Sequence, residues 1–282
     1  MSTSPFPSSS PAPKLEELRQ CPLCGSPHIE VPPVQPNPPF GIRNCAACTA
    51  IFLSPRPPIE EMPQYYDEFY KADREKNKRQ ELRARKHFRR LSRTQPKPGN
   101  LLEVGAGDGY FLNAARQAGW NVHGLELSQP RIEQAKKWFG LELCAQDLLK
   151  AELKPDSYDA VAMFQLIEHV HDPCALFKRV HQVLRPGGIL MLSTPNVLVY
   201  ARKKRDVNQW LIPRHLFFFT PRSLVGITEN NGFQVLRQHL KFQAKLEENF
   251  GWKPWSSPSP LSGAIRNLCT PFALRLLARK RT

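Results

Sequence analysis

The sequence predicts an α/β protein, a doubly wound parallel sheet preceded by a small separate module. From Asn100 onwards, short apolar runs alternate with segments of helical periodicity, the pattern of strands joined by crossover helices. A glycine-rich loop, EVGAGDGYF at 103–111, directly follows the first apolar run. Such a loop brings a ligand close to bare backbone at the carboxyl end of a parallel sheet.

The predicted elements of the α/β region follow in order. Helix 110–118 ends at Gly119, Asp172 caps a second helix, and Thr220 begins a third that ends at Gly232. Two consecutive strands at the end predict a final hairpin. The apolar runs predict seven strands at 100–105, 121–127, 141–146, 158–164, 187–194, 233–241 and 273–280.

Composition divides the 282-residue chain into four regions. The Ser/Pro-rich stretch at the N-terminus is expected to be a disordered tail. The connector that precedes the α/β region is aromatic and basic, and its periodicity predicts a helix to about Ser92. The predicted boundaries are 1–18 for the tail, 19–56 for the cysteine-bearing module, 57–97 for the connector and 98–282 for the α/β domain.

The formal charge of +15 is concentrated in basic clusters at 71–97, 202–205 and 275–281. Such clusters favour RNA, anionic lipid or phosphorylated substrates, although solvated helix faces have the same composition. No apolar run reaches the roughly 18 residues that a membrane span needs, and the N-terminus has no signal-peptide core. We therefore expect a cytoplasmic protein, with peripheral attachment to a membrane as the alternative.

Cys21, Cys24, Cys45 and Cys48 form two C-x2-C pairs separated by twenty residues. Each pair can point two thiolates at one ion, and two pairs complete a tetrahedron, so the spacing predicts a zinc ribbon. Because four thiolates close the coordination shell, this zinc would be structural. Disulfides are the alternative, which the missing secretion signal disfavours.

The glycine loop departs from two common nucleotide-binding patterns. A dinucleotide fingerprint would need glycine where Tyr110 stands, and a phosphate-binding Walker loop would need Gly-Lys-Ser/Thr. Glu103 would repel a pyrophosphate but suits an ammonium or sulfonium ligand. Glu126 ends the second predicted strand, where a carboxylate can accept from ribose hydroxyls, and Asp147 ends the third, near an adenine amino group.

These segments resemble the class I S-adenosylmethionine-dependent methyltransferases over roughly residues 98–241. The matching pieces are LLEVGAGDGYF, VHGLELS, AQDLL, YDAVAMFQLIEHVHDP and LRPGGILMLSTPN. The resemblance implies a Rossmann-like, seven-stranded methyltransferase sheet that uses S-adenosylmethionine. Together with the four-cysteine ribbon, YYDEFY and RHLFFFTPRSL, the chain is similar to a bacterial branch that methylates sugars, secondary metabolites or cell-surface precursors.

The resemblance also implies a set of cofactor contacts. Glu103 and the glycine loop would line the methionine portion, Glu126 the ribose and Asp147 the adenine, while Gln165 would stand beside the sulfonium. The full set is Glu103, Gly105, Gly107, Asp108, Gly109, Glu126, Leu127, Asp147, Leu148 and Gln165.

A catalytic base is needed only if the acceptor must lose a proton, because the sulfonium already activates the methyl group. Glu168 and His169 follow the fourth core strand. A matching Glu-His pair is implicated in proton abstraction in zinc-ribbon sugar C-methyltransferases, and His169 would titrate near pH 6–7. His215 is a second candidate. The alternative is that Glu168 and His169 cap a turn and His215 lies in the core.

Two other functions remain open from the sequence. The zinc ribbon and basic helix could bind RNA, either for base methylation or as a binding module. A basic tail could instead place the enzyme beside a lipid-like acceptor at an anionic membrane.

Overall fold

The computed structural model describes residues 14–63, 65, 76–198, 207–209, 212–236 and 273–281. The strands are β1 Ile29–Glu30, β2 Ile42–Cys45, β3 Ile51–Leu53, β4 Asn100–Val104, β5 Asn121–Leu125, β6 Tyr158–Phe164, β7 Leu184–Pro195, β8 Phe217–Phe218, β9 Phe233–Val235 and β10 Ala273–Lys280. The helices are α1 Lys78–Thr94, α2 Tyr110–Gln117, α3 Gln129–Phe139, α4 Pro173–Val183 and α5 Pro221–Asn230. Short 3-10 helices span Ile59–Glu61, Ile167–His169 and Val207–Gln209.

The larger sheet is mixed, with the strand order β5-β4-β6-β7-β10-β9. Its first four strands are parallel, as the alternation of strands and helices predicts. Strand β10 inserts between β7 and β9 and runs antiparallel to both, which makes this end of the sheet antiparallel, as a final hairpin requires. The predicted pairing of the last two strands with each other is confirmed.

The predicted strand at 141–146 is wrong, so the described sheet has six strands where seven were expected. Only Cys144 bridges to Leu125, through hydrogen bonds from the Cys144 N–H to the Gly124 carbonyl (2.9 Å) and from the Glu126 N–H to the Cys144 carbonyl (3.0 Å). A turn closes at once, since the Gln146 N–H donates to the Cys144 carbonyl at 2.9 Å. The apolar residues of this segment pack against the sheet without continuing the ladder.

The basic helix α1 is amphipathic. Asn77 caps its N-terminus by accepting from the Arg79 N–H at 2.9 Å. The buried residues Ala84, His87 and Leu91 form one stripe that faces the α/β core, which explains how so charged a segment is held in place. The predicted helix to about Ser92 is confirmed, whereas the aromatic residues Tyr66, Phe69 and Tyr70 and the start of the basic run lie outside the described residues.

The cysteine-bearing segment forms a second, antiparallel sheet with the order β1-β2-β3-β8. Strand β8 comes from much later in the chain, and it pairs Ile51 with Phe218 and Phe52 with Phe217. The Leu53 N–H extends this pairing by donating to the Leu216 carbonyl at 2.9 Å. Because β3 is fully buried, the small sheet shares one hydrophobic core with the α/β region.

Candidate functional site

The glycine loop leaves β4 and turns sharply before α2. Gly105, Gly107 and Gly109 have φ angles of +70°, +55° and +78°, a region that residues with a Cβ rarely adopt. A Cβ at Gly105 would lie 3.2 Å from the Leu166 side chain, which follows β6. The loop backbone is therefore bare where the carboxyl ends of β4 and β6 meet.

Glu126 holds this loop in place. Its Oε2 accepts from the Gly107 N–H at 2.7 Å and its Oε1 accepts from the Ser128 N–H at 2.9 Å. The residue is 9% exposed, and each carboxylate oxygen has lone-pair capacity beyond the single bond seen here. The structure thus gives Glu126 a loop-bracing role in addition to the ribose contact that the sequence predicts.

Glu103 is buried beneath the glycine loop. Its Oε2 has no hydrogen-bond partner among the described residues. Burial, reinforced by the negative charge of Glu126, raises the pKa of Glu103 well above its usual range. A cationic ligand at this position would compensate the carboxylate, which fits the ammonium or sulfonium ligand expected from the sequence.

Asp108 and Asp147 are two further carboxylates in the predicted set of cofactor contacts. Asp108 is buried and pairs with Arg131 of α3 at 3.4 Å, which connects the glycine loop to that helix. The half-buried Asp147 accepts from the Leu149 N–H at 2.8 Å. Both carboxylates therefore also organise their own loops.

Leucine side chains adjoin Glu126 and Asp147, the residues predicted to contact the ribose and the adenine. Leu148 is buried, whereas Leu127 is 67% exposed and Leu149 is 47% exposed. Large exposed leucines are a common feature of surfaces that stack a ligand ring. The predicted set contains Leu127 and Leu148 but not Leu149, although Leu149 is the last residue of the matched segment AQDLL.

Gln165 follows β6 with a φ of +54° and an exposed side chain. Its N–H donates to the Ser193 carbonyl at 2.8 Å and its side-chain amide donates to the Ser193 hydroxyl at 3.4 Å. These bonds fix the strained turn that brings the next residue, Leu166, against Gly105.

The four predicted metal ligands come together. Sγ of Cys21 lies 3.5 Å from that of Cys48, and Sγ of Cys24 lies 3.6 Å from that of Cys45. All four sulfur atoms lie within 4.8 Å of one another. Zinc–sulfur bonds of about 2.3 Å in a tetrahedron place the sulfurs about 3.8 Å apart, so the cluster fits zinc, and the sulfurs are too far apart for disulfides.

The two C-x2-C turns are built alike. Gly25 donates its N–H to the Cys21 carbonyl at 2.8 Å, and Thr49 donates to the Cys45 carbonyl at 3.0 Å. Both residues have left-handed backbones, with φ of +73° at Gly25 and +59° at Thr49. Thr49 is a β-branched residue in this region, and its buried hydroxyl has no partner among the described residues.

Replacing Thr49 with Gly should stabilise the protein by up to about 1 kcal/mol, because glycine adopts this φ without steric cost and loses only part of that gain to chain entropy. Thermal unfolding would show a midpoint that is higher by about 2–4 °C. The control is Thr49→Ala, which removes the hydroxyl but keeps the strain. Equal midpoints for the two variants would contradict the assignment of strain to the backbone.

Glu168, His169 and His215 form a second cluster. One ligand atom from each lies within 4.8 Å of those of the other two, and the imidazole rings are 4.8 Å apart in an edge-to-face arrangement. The Leu216 N–H donates to the Glu168 carbonyl at 2.8 Å, which ties the two chain segments together. The sequence nominated all three residues but did not predict their proximity, since no spacing signal joins positions so far apart.

Burial sets the protonation of this cluster. It raises the pKa of Glu168 to about 8, although its own backbone and the Thr194 hydroxyl favour the ionised form. It lowers the pKa of His169 to about 4 and that of His215 to about 3, where the neighbouring His169 and Arg214 act in the same direction. Both imidazoles are thus neutral at pH 7, unlike the near-neutral titration that the sequence predicted for His169.

A comparison with known families identifies the fold. The sequence profile of the family described as "Methyltransferase domain" matches residues 75–238, more than half of the chain. The chain belongs to this family. The fold of the methyltransferase domain is therefore Rossmann-like, with the mixed sheet described above.

Two relatives are similar in sequence to the methyltransferase domain. A Mycolicibacterium smegmatis protein named "Probable S-adenosylmethionine-dependent methyltransferase" is 29% identical over 137 residues, which cover 48% of this chain and 52% of that protein. The chain thus spans about half the length of this relative. A ubiquinone biosynthesis O-methyltransferase of Pseudomonas aeruginosa is 26% identical over 176 residues, covering 53% of this chain and 75% of that protein.

Solved structures share the fold. An S-adenosylmethionine-dependent methyltransferase from Mesorhizobium loti superposes with a TM-score of 0.50 at 22% identity, covering 69% of this chain and 97% of that chain. A protein from Pyrococcus horikoshii gives a TM-score of 0.55 at 14% identity, covering 77% and 99%. At these identities the likeness concerns the fold alone. Among the helices of the described part of the chain, none is both long and apolar enough to span a membrane.

Proposed function

We propose that the protein transfers the methyl group of S-adenosylmethionine to a small-molecule acceptor that carries a hydroxyl group. The observation that supports this most is the glycine loop, which Glu126 braces next to the buried Glu103, whose Oε2 has no partner among the described residues. This arrangement presents a backbone without side chains, next to buried carboxyl groups, to a ligand that bears both an amino-acid portion and a positive charge. The similarity to an O-methyltransferase favours oxygen as the acceptor atom.

The proposed cofactor contacts follow the carboxyl edge of the sheet. Glu103, Gly105, Gly107, Asp108 and Gly109 would surround the methionine portion. Glu126 and Leu127 would bind the ribose, Asp147 and Leu148 the adenine, and Gln165 would lie beside the sulfonium. The exposed Leu127 and Leu149 would cover the faces of the adenine ring.

The four cysteines are proposed to bind one structural zinc ion. The sulfur positions fit a closed tetrathiolate shell, and such a shell leaves no coordination site for a substrate. The ion would hold together the small sheet that includes β8.

The acceptor is proposed to bind beside Glu168, His169 and His215. These residues follow β6 and precede β8, next to the turn where Leu166 meets the glycine loop. Methyl transfer is an in-line displacement, so the chain contributes mainly by orienting the acceptor oxygen and excluding water. The buried cluster would orient that oxygen or accept its proton.

The experiment combines cofactor binding with methyl transfer. Calorimetry should detect one S-adenosylmethionine per chain, and labelled cofactor should transfer methyl groups to at least one compound in a panel of hydroxylated aromatics, sugars and quinols. Absence of cofactor binding by folded protein would refute the proposal. Binding together with transfer to an amine or carbon nucleophile would refute the hydroxyl assignment and keep the enzyme class.

RNA contact is a second candidate, favoured by one surface. Arg85, Arg89 and Arg93 lie at successive helical turns of α1 and line a groove against α2 together with Phe88. Binding through such a surface weakens steeply with salt, so gel shifts with bulk RNA across a salt series would reveal it. Vesicle flotation with anionic lipid would test the membrane alternative.

A further inference from the structure

The Glu168 carboxyl group is buried, and only its own backbone and the Thr194 hydroxyl favour its ionised form. The residue is 1% exposed, and neither oxygen has a partner at hydrogen-bonding geometry among the described residues. An ionised carboxylate buried in this way costs several kcal/mol of solvation, so Glu168 is either protonated, in keeping with its raised pKa, or balanced by a positive charge. A bound cation is the simplest compensation, because no Lys or Arg nitrogen lies within 4.0 Å of it among the described ion pairs.

Two imidazoles converge on the same carboxylate. His169 is the next residue in the 3-10 helix Ile167–His169, and His215 comes from the segment that enters β8. One candidate ligand atom from each residue, a ring nitrogen or a carboxylate oxygen, lies within 4.8 Å of those of the other two. Metal bonds of about 2.0–2.2 Å would bring them to about 3–3.5 Å, so closing the site needs side-chain shifts of about 1 Å.

The backbone prepares one of these histidines for metal binding. Nδ1 of His169 lies 2.9 Å from the Arg214 carbonyl oxygen. A carbonyl only accepts, so Nδ1 carries the proton and Nε2 carries the lone pair. This arrangement, in which the remote ring nitrogen donates to a carbonyl, is how proteins orient metal-binding histidines. Arg214 directly precedes His215, so one short segment supports both imidazoles.

We propose that Glu168, His169 and His215 bind a divalent transition-metal ion, separate from the four-cysteine centre. Two imidazoles and one carboxylate suit zinc, manganese, iron(II) or cobalt(II), and three protein ligands leave coordination positions open. The ion balances the charge of Glu168 and uses the lone pairs of both neutral histidines. The four-cysteine centre, in contrast, has a closed shell of thiolates.

The open positions indicate the class of acceptor, a step that rests on the proposed function. A hydroxyl oxygen bound to the ion loses its proton more readily, as metal-bound water does. The proton passes to solvent, the oxygen forms a bond to the methyl carbon, and the carbon–sulfur bond breaks to release S-adenosylhomocysteine. The ion therefore favours acceptors with a hydroxyl group, and vicinal hydroxyls could fill two positions.

Cobalt(II) titration of full-length protein tests the site directly. With the four-cysteine centre already loaded with zinc, one further equivalent of cobalt should bind and give weak d–d bands without thiolate charge-transfer absorption. Glu168→Gln and His215→Asn should each lower cobalt affinity by at least about 100-fold, since each removes one of three ligands. Zinc content should stay at one per chain in both variants.

Matched variants keep the result interpretable. His181→Gln and Glu142→Gln change the same residue types outside the cluster and should leave cobalt binding unaltered. Circular dichroism identifies any variant that fails to fold, and the near-isosteric Glu168→Gln is the variant on which the conclusion depends. Absence of a cobalt site in wild type, or unchanged affinity in folded Glu168→Gln, would overturn the proposal. Calorimetry with S-adenosylmethionine then separates that failure from failure of the proposed enzyme class.

Discussion

Replacing Glu126 with Ala should lower the affinity for S-adenosylmethionine by about 30- to 1,000-fold, corresponding to about 2–4 kcal/mol. Two contributions add. The variant loses the charge-assisted hydrogen bonds to the ribose hydroxyls, and it releases the backbone N–H groups of Gly107 and Ser128, which Glu126 holds at 2.7 and 2.9 Å. Isothermal titration calorimetry measures the change.

The two contributions can be separated with the ligand. An analogue that lacks one ribose hydroxyl should bind wild type more weakly than S-adenosylmethionine does, whereas Glu126→Ala should no longer discriminate between them. Glu133→Ala, on the exposed face of α3, is the control and should bind like wild type. An unchanged dissociation constant in folded Glu126→Ala would refute the cofactor contact. A weakened constant with discrimination retained would leave Glu126 as a loop brace only.

The glycine loop and the strands around it could be predicted because their signals are local. Glycines 105, 107 and 109 all adopt the left-handed backbone that their pattern implies, and Glu126 directly follows the neighbouring strand β5. The cysteine cluster is likewise encoded by two-residue spacings within each turn. In such cases a few neighbouring residues determine the conformation, and tertiary contacts only reinforce it.

The parts that failed or were missed depend on contacts between distant segments. Leu141 and Leu143 have the apolar character of a strand, but the turn from Cys144 to Gln146 ends the pairing after one bridge. An apolar segment is buried both when it is a hydrogen-bonded strand of the sheet and when it is a loop packed against the sheet, so its apolar character does not distinguish the two. The antiparallel insertion of β10 depends on how the chain returns to the sheet, which composition does not encode.

The contact of His215 with Glu168 and His169 shows most clearly that local sequence patterns do not predict contacts between distant segments. It requires β8 to pair with the edge of β3, a contact between segments that are far apart in the sequence. The apolar run around Phe217 predicted burial and nothing about its partner. The pairing of β3 with β8, together with hydrogen bonds between His171 and the Arg56–Pro57 segment, explains why the cysteine-bearing sheet and the carboxylate–histidine cluster are neighbours.

Replacing Cys21 and Cys45 together with Ser should remove one zinc ion per chain and lower the thermal unfolding midpoint by more than 10 °C. In isolated zinc-binding peptides, structural zinc contributes about 10–16 kcal/mol to the free energy of folding. A ribbon that shares its core with a large domain would depend on zinc for only part of its stability. Elemental analysis and circular dichroism measure the two quantities. Cys144→Ser, which changes the same residue type away from the centre, should retain the zinc.

The double variant should also disturb the carboxylate–histidine cluster, because one chain of hydrogen bonds links the two. Leu53 of β3 donates to the Leu216 carbonyl at 2.9 Å, and the Leu216 N–H donates to the Glu168 carbonyl at 2.8 Å. Loss of the zinc frees β3, which releases β8 and with it the preceding His215. We therefore expect weaker cobalt binding at the cluster in the double variant, although none of its ligands has changed. If zinc is lost while cobalt affinity and the unfolding midpoint stay at wild-type values, the small sheet does not support the cluster, and β8 is held by the hydrophobic core alone.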